Sequence, residues 1–267
     1  MSFGILIDTT KCVGCRGCQV ACKQSNDLPA EQTDFRPIRT NPPDTTARTW
    51  SLVEFYEVPR ANERLAWRFV KRQCMHCLEP ACVSVCPVGA LQKTAEGPVI
   101  YDSKRCIGCR YCMVACPFEI PAYEYRDPIT PRVMKCTFCY ERVEKEGKRP
   151  GCAEICPVEA ITFGRRSSLL KIARNRIKSN PAGYVNRIYG EHEAGGTSWL
   201  YLSGVPFDRV GFIDVPHRPL TQLAESIQSS LFSYMWSPIV LFGMLGGIMW
   251  AFRNKGDRDT AGKGGQP

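Results

Sequence analysis

Sixteen cysteines in four groups of four are the chemistry-bearing feature of this 267-residue chain. The stretch KRCIGCRYCMVACP, residues 104–117, sets Cys106, Cys109, Cys112 and Cys116 at i, i+3, i+6 and i+10. Cys12, Cys15, Cys18 and Cys22 repeat that spacing, while Cys74, Cys77, Cys82, Cys86 and Cys136, Cys139, Cys152, Cys156 each open on Cys-x-x-Cys. A helix packing a core stripe repeats at i, i+3, i+4 and i+7 and prefers larger apolar groups, so thiols at every third position are gathered for ligation or for pairing.

A disulfide framework is expected of a small secreted chain, and MSFGILIDTTKC shows no apolar signal segment before the first cysteine, so reduced thiols are expected. Zinc suits isolated Cys-x-x-Cys pairs. The first and third groups decide against it, because C-x2-C-x2-C-x3-C is the bacterial ferredoxin run that holds cubane iron–sulfur clusters. In two-cluster ferredoxins the fourth cysteine of a run ligates the other cluster, so two groups must fold together and exchange one ligand. The spacing permits either neighbouring or nested pairs. The formal charge of +9 points at first to nucleic acid or anionic lipid. Four cubanes held by thiolates bring about −2 each, leaving roughly +1, so the basic excess reads as compensation for cluster charge.

The elements that position these thiols show as an internal repeat. ILIDTTKCVGCRGCQVAC, residues 5–22, lies on VIYDSKRCIGCRYCMVAC, residues 99–116, with Gly14 on Gly108 and Arg16 on Arg110; CMHC…CVSVCPVGAL matches CTFC…CAEICPVEAI more weakly. Each half reads as a short strand (GILID, PVIYD or AITFG), a cysteine-bearing loop, and a short helix starting near the last cysteine. Gly14 and Gly108 suit a tight turn that brings amides toward sulfur. Pro87, Pro117 and Pro157 follow the fourth cysteine and fit a first helical position, whereas Lys23 follows Cys22. RTNPPDTTARTW reads as a loop leading to the strand-like WSLVEFYEVP. SSLLKIARNRIKS has amphipathic helical spacing, with Leu169, Leu170, Ile172, Ala173 and Ile177 against Lys171, Arg174 and Lys178.

From Leu231 to Phe252 the chain runs 22 residues without a charge, about 33 Å as a helix, with Trp236 and Trp250 near the ends. A single C-terminal transmembrane helix is expected, with Gly243 and Gly247 as a G-x-x-x-G face for a membrane partner. Arg253, Lys255, Arg258 and Lys263 after the span predict a cytoplasmic tail and a cluster domain on the extracytoplasmic side.

The cysteine runs together with CRGCQVACK, TNPP, CIGCRYCMVACPFEIP, KCTFCYERV, CPVEAITFG and the closing YGEHEAGGTSWLYLSGVPF resemble the four-cluster iron–sulfur subunits of molybdopterin oxidoreductases and membrane hydrogenases. Most of the chain is similar to formate dehydrogenase β subunits, and its end also to the iron–sulfur subunit of quinone-linked nickel–iron hydrogenase. The resemblance implies an α+β fold of two ferredoxin-like two-cluster domains, one nested in the other: residues 1–26 with 125–165, and residues 66–124. A connecting segment (27–65), a C-terminal extension (166–226), the anchor (227–253) and a tail (254–267) complete it. It further implies four [4Fe-4S] clusters: Cys12, Cys15, Cys18 and Cys156; Cys22, Cys136, Cys139 and Cys152; Cys74, Cys77, Cys82 and Cys116; and Cys86, Cys106, Cys109 and Cys112. The implied partners are a catalytic molybdopterin, tungstopterin or nickel–iron subunit and an integral-membrane quinone- or haem-containing subunit.

An enzyme using an open iron as Lewis acid needs a vacant position, and sixteen thiolates for four cubanes leave none. Clusters of purely structural use would account for folding, though four of them with an anchor exceed what stability requires. No Gly-rich nucleotide loop, catalytic triad or carboxylate pair stands out, so catalysis is expected in another chain. His76, between Cys74 and Cys77, is placed either to donate to a sulfide or simply to pack; Lys11, Lys135, Arg16 and Arg110 read as exposed cations or as charge compensation.

Overall fold

The computed structural model describes residues 2–32, 34, 40–59, 65–126, 132–221, 238 and 240–250. Two compact units emerge, Met1–Thr221 and Gln222–Pro267. In the first, the elements run β1 (Phe3–Asp8), α1 (Gly17–Ser25), β2 (Ser51–Pro59), β3 (Leu65–Gln73), α2 (Ala81–Ser84), β4 (Leu91–Lys93), β5 (Val99–Tyr101), α3 (Tyr111–Val114), β6 (Ala122–Tyr123), β7 (Val133–Met134), α4 (Tyr140–Glu146), α5 (Gly151–Glu154), β8 (Ile161–Arg165), α6 (Arg166–Ser179) and β9 (Trp199–Leu202).

FGILID is a nearly continuous apolar run buried on both faces, since a strand sends successive side chains to opposite sides. Ile5 and Ile7 enter the large core that also holds Cys74, Cys136 and Cys152, while Leu6 enters a second core under α6. β9 divides likewise, with Trp199 and Tyr201 on the cysteine side and Leu200 and Leu202 beneath α6. β1 is central, antiparallel to β8 (Ile5 opposite Phe163) and parallel to β9 (Ile5 opposite Trp199). This sheet is therefore a wall with the thiols on one side and an amphipathic helix on the other. Leu169, Leu170 and Ala173 of α6 are buried. Ile172 is exposed because it falls off the stripe that a 3.6-residue turn draws through Leu169, Leu170, Ala173 and Ile177.

Asp8 ends β1 fully buried, accepting bonds from Arg176 of α6 (3.0 Å), Tyr184 (2.8 Å) and the Thr10 hydroxyl (2.6 Å), so its charge is matched on three sides. Glu193, also buried, bonds Arg187 (2.6 Å) and the Gly190 amide (2.6 Å). Burial pushes its carboxyl up, but the Arg187 and amide hydrogen bonds and the Arg187 charge outweigh that and hold it below its ordinary value of 4.5. A depressed carboxylate contributes stability that is present above the unfolded pKa and lost as pH falls through the folded one. Glu193→Gln is thus expected to melt lower than the parent at pH 7, with the gap closing below about pH 4. Thermal midpoints of the two proteins across that range check it.

The pairing of elements follows the cysteine groups from a distance. α1 packs on α5 and β1 on β8, which unites the first group with the fourth; α2 packs on α3 and β4 on β5, which unites the second with the third. β2 and β3 pair antiparallel over nine residues each, Ser51 opposite Gln73 through Pro59 opposite Leu65.

One expectation is corrected. The short helices do not start near the fourth cysteine: α2, α3 and α5 carry the third cysteine (Cys82, Cys112, Cys152) and end before the fourth (Cys86, Cys116, Cys156). Pro87, Pro117 and Pro157 stop helices instead of starting them, since proline cannot donate the next backbone bond. The exception shows the cause. With Lys23 after Cys22, α1 runs on through Cys22 to Ser25.

In the second unit, residues 240–250 are helical and exposed, and nothing lies within 4 Å of a Cβ built at Gly243 or Gly247. Among the described residues no helix is long and apolar enough to cross a membrane. The rest of the Leu231–Phe252 span, Trp236 and the tail cations included, lies outside the described residues.

Candidate metal centres

Each group of four thiols splits three to one, and the odd cysteine joins another group, the first exchanging with the fourth and the second with the third. Cys12, Cys15, Cys18 and Cys156 line one cavity together with Val13, Arg16, Val53 and Lys71, enclosing about 400 Å³ of empty volume, open mouth included. Burial raises the Cys12 thiol and pushes Cys18 up to about 11, and the charges of Cys15 and Cys156 add to both. Cys86, Cys106, Cys109 and Cys112 line a second cavity of about 320 Å³ with Leu91, Tyr101 and Arg110. Cys112 is pushed up to about 11 by burial and by Cys106, Cys109 and Cys86.

The two inner sets are buried deeper. Cys136 is raised by burial and by the charges of Cys22 and Cys139, and Cys152 is pushed to about 12 by burial, Cys139 and Cys22. Burial likewise raises Cys77, whose neighbours are Cys74, Cys116 and Cys82; Cys82 reaches about 12 beside Cys74 and Cys116. Adjacent sets also sense each other's charge, Cys18 with Cys152, Cys136 with Cys74, and Cys82 with Cys112. The four sets form an unbroken row through the molecule. Its ends reach the surface, where Cys15 and Cys109 are exposed.

The residues around the thiols fit a polynuclear anionic group. Backbone amides point at sulfur: Ala90 at Cys86 (3.2 Å), Gly108 at Cys106 (3.4 Å) and Phe138 at Cys136 (3.3 Å). Residues three beyond the fourth cysteine, Gly89, Glu119 and Glu159, adopt the left-handed region, which curls successive amides into a nest suited to negative charge. At Cys86 burial acts to raise the thiol, but amides of Leu91, Ala90, Val88 and Gly89 bring it below its ordinary value. Two buried ring nitrogens without a hydrogen-bond partner among the described residues, His76 Nε2 and Trp199 Nε1, border the same region, and Ser51 hydrogen-bonds Cys22. Among the described residues no three His, Cys, Asp or Glu side chains converge as they do on a single metal ion. Nine of these thiols are pushed toward protonation, chiefly by burial, and need a cationic core to stay ionised, which an iron–sulfur core supplies.

Models of the 4Fe-4S dicluster domain match residues 65–166 and, separately, residues 11–90. Over 274 residues the chain is 34% identical to the hydrogenase-2 operon protein HybA of Escherichia coli O157:H7, covering 91% of this chain and 83% of that protein. Over 241 residues it is 36% identical to the formate dehydrogenase-O iron–sulfur subunit of Escherichia coli K12, covering 89% and 77%. The chain belongs to this family of 4Fe-4S iron–sulfur subunits. A protein of Nitratidesulfovibrio vulgaris is 50% identical over 212 residues, 79% of this chain, and the chain spans 56% of that relative's length. As an iron–sulfur subunit of formate dehydrogenase and hydrogenase type, it carries dicluster domains whose cofactors are [4Fe-4S] clusters. Its two domain matches follow chain order, whereas the thiols meet across it.

Two features of the subunit were legible in the sequence only as open alternatives. His76 is fully buried with φ 48°; its Nδ1 accepts from the Val99 amide (2.9 Å), so Nε2 carries the proton, and the ring meets Phe138 edge-on between two thiol sets. Of the two arginines matched in the repeat, Arg110 is exposed and Arg16 half-buried, and each lies over an aromatic ring. Arg16 stacks over Phe55 at 4.6 Å and Arg110 over Tyr123 at 4.4 Å, each beside an outer set.

Proposed function

We propose that this subunit relays electrons through four [4Fe-4S] clusters between a catalytic molybdopterin or tungstopterin subunit of formate dehydrogenase type and a quinone-reactive subunit in the membrane. The unbroken row of thiol sets from Cys15 to Cys109 carries the reading. Cys12, Cys15, Cys18 and Cys156 hold the first cluster; Cys22, Cys136, Cys139 and Cys152 the second; Cys74, Cys77, Cys82 and Cys116 the third; Cys86, Cys106, Cys109 and Cys112 the fourth. The sets belong to two nested modules, 1–26 with 125–165 and 66–124. When bound, the clusters take up and release single electrons at potentials that surroundings vary over hundreds of millivolts, as a rough span.

The chain's own residues hold each group, bring amides and buried donors to sulfur, and keep the inner two sets away from water. Both ends are suited to docking. Val13, Val20 and Ile155 are exposed near Cys15, and Ile107, Tyr111 and Val114 are exposed near Cys109. Exposed apolar collars of this kind mark protein contacts. Catalysis then belongs to a partner chain, since every thiol is used as a ligand. The uncharged stretch Leu231–Phe252 supports a single membrane anchor, with Gly243 and Gly247 against the membrane subunit, the clusters outside and the tail in the cytoplasm.

The likeness to HybA favours a second reading, a nickel–iron hydrogenase partner. Purifying the detergent-extracted complex and supplying formate or hydrogen in turn separates the two. Reduction of the clusters by formate with a pterin subunit present supports the first, and reduction by hydrogen with a nickel–iron subunit the second. A chain that purifies alone without detergent, its clusters reduced by neither, would contradict both.

A further inference from the structure

Lys71 is a buried cation that the relay as described does not use. It lies on β3 with 3% exposure, and among the described residues no carboxylate is within ion-pair distance of it. Strand alternation puts Phe69, Lys71 and Gln73 on one face. The ring of Phe69 abuts Gly14 of the first cysteine loop, and Lys71 lines the cavity of Cys12, Cys15, Cys18 and Cys156. The ammonium is fixed in place. It donates to Gln73 Oε1 (3.0 Å) and sits 5.0 Å from the Trp199 ring centroid; Gln73 Nε2 donates to the Tyr201 hydroxyl (2.5 Å), which donates back to the Lys71 carbonyl (2.8 Å). Its charge acts on Cys18 of the first set and on Cys22, Cys136 and Cys152 of the second.

A lone ammonium in a low-dielectric interior is costly unless an anion compensates it. The anions within reach are the thiolates of two different sets. We propose that Lys71 is the counter-ion shared by the first and second clusters and raises the reduction potentials of both. The inference rests on the assignment of clusters to those sets. Reduction adds one electron to a cluster without making or breaking a bond, and a fixed positive charge between two such sites favours the reduced state of each. The neutral Gln73–Tyr201 pair holds the ammonium without cancelling its field.

An anaerobic redox titration of the full complex, read by electron paramagnetic resonance, tests this with Lys71→Gln and Lys71→Arg. In K71Q the ratio of reduced to oxidised cluster at fixed potential should fall about tenfold or more for two of the four clusters, about 59 mV in a one-electron couple. The affected two should be those lost in C12A and in C136A. K71R should restore most of the shift. Should K71Q lose iron, Gln73→Glu places a carboxylate beside the ammonium and must lower the same two potentials. Iron-replete K71Q or Q73E with all four potentials unmoved, or with all four displaced equally, would overturn the role of Lys71 alone. A parent complex without iron–sulfur clusters would overturn the assignment beneath it, and this role with it.

Discussion

Replacing Cys156 with alanine is expected to remove the cluster held by Cys12, Cys15 and Cys18 while sparing the one held by Cys136, Cys139 and Cys152. In the chain Cys156 follows Cys152 by four residues, so a self-contained group would lose its own cluster. In the fold α5 ends at Glu154 and packs against α1, which carries Cys156 to the cavity of the first cysteine loop. Iron should drop by about four of roughly sixteen per chain, and the dithionite-reduced spectrum should match that of C12A and differ from that of C136A. A spectrum of C156A that matches C136A instead would mean that the groups do not exchange ligands.

Trp199→Ala should be the most damaging change away from the thiols. Trp199 is fully buried on β9, pairs with Ile5 of the central strand, meets the Phe138 ring at 5.9 Å and lies beside the Lys71 ammonium. Deleting a buried tryptophan forfeits its transfer free energy and leaves a cavity that its neighbours fill only in part, a loss of about 3–5 kcal/mol. For a chain of this size the thermal midpoint should fall by about 6–20 °C. Trp199→Phe keeps most of the apolar area and should lose less than half of that. A W199A midpoint within about 2 °C of the parent would mean that the β8–β1–β9 sheet is not the wall on which the cluster side is built.

Much of this was legible because ligation constrains spacing harder than packing does. The cysteine runs told the cofactor class, GILID and AITFG were readable as short strands, and the stripe of Leu169, Leu170 and Ala173 gave α6 away. Three things were hidden, each for a physical reason. The strand LAWRFVKRQ buries residues on both faces and carries three cations, so its alternation is masked, and neither the strand nor Lys71 was read from the sequence. The parallel partnership of β1 with β9 joins residues nearly two hundred apart, and nothing local signals such a contact. The helix starts were misplaced because proline serves both helix ends, and only the fold shows that Cys86 and Cys116 leave the helix so that later amides face their sulfur.

Metal and sulfide analysis of the anaerobically purified full chain in its complex tests the central claim most directly. About sixteen irons and about sixteen acid-labile sulfides per chain, four cubes of four, are expected, with no stoichiometric zinc. Far fewer irons, or zinc in their place, would contradict it.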